Sequence, residues 1–83
     1  MSQRLVWHCR KGKSHKFYIL TVERDLWGYS AIVRRWGRID GTRTGVVVHW
    51  HPEASFDEIA KQIHQRRRWH DYQLTEDPNR ILS

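Results

Sequence analysis

The run Lys16-Phe17-Tyr18-Ile19-Leu20-Thr21-Val22-Glu23-Arg24 is dense in aromatic and β-branched residues, and side chains along an extended strand alternate between its two faces. Tyr18, Leu20 and Val22 then share one face, and Phe17, Ile19 and Thr21 share the other. Both faces are apolar, as in a strand at the middle of a sheet. Upstream, Arg4 to Arg10 alternates more cleanly, with Leu5, Trp7 and Cys9 opposite Arg4, His8 and Arg10, the pattern of a half-buried strand. Lys11-Gly12-Lys13-Ser14 is a turn between the two. Downstream, Tyr29 to Trp36 reads as a third strand, with Tyr29, Ala31 and Val33 opposite Ser30, Ile32, Arg34 and Trp36. After a loop punctuated by Gly37, Gly41 and Gly45, a fourth runs over Thr44 to His51 on the valines 46 to 48 and Trp50. Pro52 ends it. Ser55-Phe56-Asp57-Glu58 fits a capping box, and Phe56, Ile59, Ala60 and Ile63 recur at helical spacing. The order is ββββα. The simplest architecture that buries the helix stripe is an α+β fold, a twisted antiparallel four-stranded sheet with one helix packed on one face.

Eighty-three residues leave room for one small core, so residues 1–83 are read as a single domain. Its core spans about 4–74, and 75–83 form a loosely ordered tail, because Asp77-Pro78-Asn79 reads as a turn. With five Trp, such a core must be built from a few large rings. Trp7 and Trp50 are expected inside it, while the pattern assigns no place to Trp27 or Trp69. The single cysteine, Cys9, excludes an intrachain disulfide and a Cys-rich zinc site. Without an apolar leader or a bilayer-length apolar run, the expected setting is the cytoplasm, with no membrane contact.

Fifteen Lys and Arg against nine Asp and Glu give a formal +6, which favours an anionic partner. The surplus is uneven: residues 1–24 carry +5, residues 25–54 +1 and residues 55–83 none. Four Lys against eleven Arg suits bidentate contacts to phosphates and bases.

Lys16-Phe17-Tyr18-Ile19-Leu20, Gly28-Tyr29-Ser30 and Val33-Arg34-Arg35-Trp36-Gly37-Arg38-Ile39 together resemble the WGR domain, whose signature is here Trp36-Gly37-Arg38. The resemblance continues through the helix to Tyr72 and covers about residues 16–73. It implies a DNA-binding module of the kind that contacts strand breaks in eukaryotic poly(ADP-ribose) polymerases, and it is closest in size to short bacterial chains. The polymerases' catalytic domain has no counterpart in this length, so only the binding role carries over. Two positions depart from the family pattern. Asp40-Gly41-Thr42-Arg43-Thr44-Gly45-Val46 replaces a compact turn followed by Gly and Gln, and Asp71 stands where a Gly often precedes the Tyr.

Chemically, a Trp at a strand end can stack on a base or sugar, a Gly lets backbone approach a phosphate, and an Arg supplies a charged fork. The resemblance assigns Trp36 and Arg38 to the contact, with Gly37 between them. Arg34, on the Trp36 face by alternation, and Arg43 in the following loop are phosphate candidates; Arg35 points the other way. Lys11, Lys13 and Lys16 around the first turn, and Arg66 and Arg67 late in the helix, are further phosphate candidates, though basic residues there also complement the helix dipole. His49 and His51 point the same way, but no carboxylate or Cys completes a ligand spacing, so no metal is expected. No nucleophile, base and orienting group occur together, so neither catalysis nor a cofactor is expected. The expected function is non-catalytic nucleic-acid binding, with DNA ends, nicks or junctions as the partner. The alternative is a protein-interaction or regulatory module using the open sheet face.

Overall fold

The computed structural model describes residues 3–12, 15–24, 26–50, 56–78 and 80–82. Among them, five strands and one helix follow in the order β1 (Arg4–Cys9), β2 (Lys16–Arg24), β3 (Ser30–Arg38), β4 (Gly45–Trp50), α1 (Phe56–Trp69) and β5 (Gln73–Glu76). The sheet order is β4-β3-β2-β1-β5, and every neighbouring pair is antiparallel. The α+β class and the single helix are as expected; the sheet has five strands rather than four. Gln73–Glu76 holds one apolar side chain, Leu74, aligned with Trp7, so it lacks the alternation by which a strand is read from sequence. Its pairing with β1 joins residues far apart in the chain. The strand takes in Thr75 and Glu76, and beyond it Ile81 and Leu82 pack against the core. The capping box at Ser55 and the turn residues Lys13 and Ser14 lie outside the described residues.

Topology places the helix. It follows β4 at one edge and leads into β5 at the other, so it must cross a face of the sheet. Its 14 residues rise about 21 Å, comparable to the roughly 19 Å width of five strands. The buried Phe56, Ala60 and Ile63 meet Leu5, Trp7, Tyr18, Leu20 and Ile32, all from the sheet face assigned by alternation. Trp7 is fully buried, and its indole Nε1–H donates to Nδ1 of His64 on the helix, 3.0 Å away. A buried donor is thereby satisfied. Burial lowers the His64 pKa, assisted by Arg68 and opposed by Asp77, so His64 is held neutral with Nδ1 free to accept.

Helix α1 ends in a Schellman motif: Tyr72 N–H donates to the Arg67 carbonyl and Asp71 N–H to that of Arg68. Asp71 takes the left-handed residue of that motif, φ 65°, where glycine is the usual choice. This accounts physically for the departure at that position, since Asp is among the few residues with a side chain that tolerate the conformation.

The valine run misleads about Trp50. In the structure Trp50 is 57% exposed, because it shares the face of Val46 and Val48, away from the helix. Their partners on β3 are Ala31, Val33 and Arg35. Among the described residues, no helix or strand covers this face.

Candidate nucleic-acid interface

Antiparallel register sets Trp7, Tyr18, Trp36 and Gly45 side by side in one row across β1 to β4. Trp7 meets Tyr18 edge-on with centroids 6.1 Å apart, and Tyr18 lies parallel to Trp36 at 6.0 Å with 13° between planes. The row ends at Gly45 for a steric reason. A Cβ there would lie 2.4 Å from Cζ2 of Trp36, so the indole covers a glycine that could carry no side chain with the ring in place. Arg34 and Arg38, two residues either side of Trp36, share its face. Arg38 is directly opposite Lys16, two like charges facing across a strand pair, an arrangement that costs stability on its own.

The helix leaves part of β3 and β4 uncovered, and a groove of about 860 Å³ lies between. Arg34, Trp36 and His49 line its sheet side; Gln62, Arg66 and Arg67 line its helix side. Arg66 follows Ile59, Gln62 and Ile63 at helical spacing, which turns it toward the groove. The Arg67 guanidinium lies 4.7 Å from the Tyr18 centroid and 5.0 Å from that of Tyr72, within cation–π range of both. Trp69, 85% exposed, and His70 complete the rim. No lining residue among the described residues is acidic.

Three arginines act at one point in this groove. Burial raises the pKa of the Tyr18 hydroxyl, while Arg34, Arg67 and Arg66 each pull it down. Nε of Arg34, Nε of Arg67 and Nε2 of His49 are buried without a hydrogen-bond partner in the protein. Buried polar groups are normally paired, so guanidinium donors left over beside an aromatic platform suit an anionic ligand with a flat, stackable part.

The structure therefore brings together Arg34, Trp36, Arg66 and Arg67, predicted from separate stretches of the chain. Arg38 adjoins them, half-buried, with its Nε also unpartnered. Gly37 points the other way and is buried; a Cβ there would meet the Thr44 methyl at 2.8 Å and the Thr44 Cα at 3.1 Å. Its small size thus has a packing reason. Arg43 is exposed in the loop after β3, at φ 53°, outside the groove. That loop is ordered by Asp40, whose carboxylate accepts from the Thr42 hydroxyl at 2.6 Å and the Thr42 N–H at 2.9 Å. The Thr42 hydroxyl, then its N–H, hold the Asp40 pKa down. Lys11 pairs with Asp71 at 2.9 Å, away from the groove, and Lys13 lies outside the described residues. Arg35 donates to Glu23 at 2.8 Å on the opposite face.

Sequence reasoning missed Tyr18, His49, Gln62 and Trp69 as groove residues. Gln62 and Trp69 were within reach, since both fall on the helical spacing of Ile59 and Arg66; Tyr18 and His49 needed the strand register.

No curated protein and no solved structure matches the chain. The family model described as WGR domain matches residues 1–77, which include the strand carrying Trp36-Gly37-Arg38, the aromatic row and the whole of α1, and the chain belongs to the WGR domain family.

Proposed function

We propose that this WGR domain is a non-catalytic, cytoplasmic module that binds DNA, preferring ends, nicks or junctions, through the groove between α1 and β3. The observation that carries this reading is the convergence of Arg34, Arg66 and Arg67 on the Tyr18–Trp36 platform with no acidic lining residue. The arginines take backbone phosphates, and Trp36 offers a face on which a base or sugar stacks. A duplex exposes the flat face of a base pair only where stacking is interrupted, hence the preference for ends and breaks. Membership of a nucleic-acid-binding family supports the coarser part of the reading.

The test is an anisotropy titration of blunt, nicked and covalently closed duplexes at several salt concentrations. Three phosphate contacts predict a slope of log affinity against log salt of about −3. Arg34→Gln and Arg66→Gln each flatten that slope by about 1. Affinity indifferent to salt, or unchanged in the Arg34→Gln, Arg66→Gln double variant, would sink the proposal. Equal affinity for closed and open duplex would remove only the preference for ends.

A further inference from the structure

The two edges of the sheet are protected very differently. Strand β5 is four residues long, its register with β1 shifts between Val6 and Trp7, and its Glu76 pairs with Arg4 at 3.5 Å. Shortness, irregularity and charge are the usual means of keeping an edge from pairing with another chain. Strand β4 has none of them. Its six residues, Gly45-Val46-Val47-Val48-His49-Trp50, include no Lys, Arg, Asp, Glu or Pro, and its register with β3 is unbroken. Val46, Val48 and Trp50 are 58%, 41% and 57% exposed on the uncovered face.

We propose that β4 pairs antiparallel with β4 of a second copy of this chain, about a two-fold axis through Val48, joining two five-stranded sheets into one. The strand is complementary to itself in that register. Val48 faces its own copy, and each Val46 faces the Trp50 of the second copy, small against large, an aromatic and β-branched pairing that stabilises antiparallel strands. Charge selects the same edge. In a chain of net +6 two copies repel over most of their surface, but β4 is uncharged, and on the face it shares Arg35 is already neutralised by Glu23. A two-fold axis normal to the sheet makes the interface isologous and keeps both helices on one side.

The pairing also adds to the groove. On the helix face Val47 lies opposite His49 of the second copy, so each copy brings an imidazole to the rim of the other's groove. The two β3 strands stand three strand spacings apart, about 14 Å, which puts two anion-receiving grooves side by side.

Sedimentation equilibrium without nucleic acid tests this independently of the DNA-binding reading. The mass is expected to double between low and high micromolar concentration, and Val48→Lys, which sets two ammonium groups on the axis, should abolish the doubling while circular dichroism stays unchanged. Trp50→Lys serves as a second variant should Val48→Lys fail to fold. In a Cys9→Ser background, Val48→Cys should cross-link to its own copy, whereas Val46→Cys should cross-link efficiently only when mixed with Trp50→Cys. A monomer throughout, which would assign the edge to a strand of a different protein, overturns the proposal. So does a dimer indifferent to folded Val48→Lys and Trp50→Lys variants.

Discussion

Replacing Gly45 with alanine adds a single methyl at the end of the aromatic row, and the structure states what it would meet. The new Cβ lies 2.4 Å from Trp36 Cζ2, 2.5 Å from Cε2 and 2.8 Å from Nε1. Carbon atoms approach comfortably only to about 3.5 Å, so the indole must lift by about 1 Å. It has little freedom to do so, being parallel to Tyr18, itself beneath Arg67. Overpacking of this kind costs about 1–3 kcal/mol, and losing the Trp36–Tyr18 stacking adds about 0.5–1.5. Against this, Ala is favoured over Gly in a strand by about 0.5–1 kcal/mol, since it loses less backbone freedom on folding. The expected net destabilisation is about 0.5–4 kcal/mol by urea denaturation, with a shift in tryptophan emission. DNA affinity should fall at unchanged salt slope, because no charge has moved. An alanine variant within about 0.5 kcal/mol of the parent, the scatter of an ordinary surface substitution, would refute the steric role given to Gly45.

Asp71→Gly removes a left-handed non-glycine residue from the Schellman motif and should stabilise by about 0.5–1 kcal/mol, raising Tm by a few degrees in calorimetry. The Lys11 pair lost with it is exposed and contributes little. Asp71→Ala keeps the strain, loses the pair and should destabilise. Stability should also fall on mild acidification. Burial depresses the folded pKa of His64, and burial, His15 and Arg10 depress that of His8, so below about 6.5 the unfolded chain takes up protons first. The loss begins there and levels off once pH passes the lower folded pKa values. Urea midpoints from pH 7.5 down to 5 will show it, and the slope should shrink in His64→Gln.

Much of the site is legible in the sequence. Alternation alone puts Arg34 beside Trp36 and turns Arg35 away, and the Arg35–Glu23 contact on the far face agrees. Helical spacing marks Phe56, Ile59, Ala60 and Ile63 as the apolar stripe, and the structure buries three of them and packs the half-buried Ile59 against the same core. The same local logic fails for Trp50. A valine run shows that both faces of a strand are apolar, not which face the single helix covers.

The sequence by itself determined four of the five strands, the helix, and which side chains share a face in them, because those properties follow from periods of 2 and 3.6 residues within one segment. Tertiary structure alone decided which segments meet. It carried Arg66 and Arg67, from a third of the chain with no net charge, to the Trp36 row. It set Asp71 against Lys11 and Glu76 against Arg4, neutralising part of the N-terminal surplus. It also added β5 on the far side of β1 and left β4 as the bare edge. Strand pairing and helix docking join residues tens of positions apart, and no local period encodes a partner at that distance.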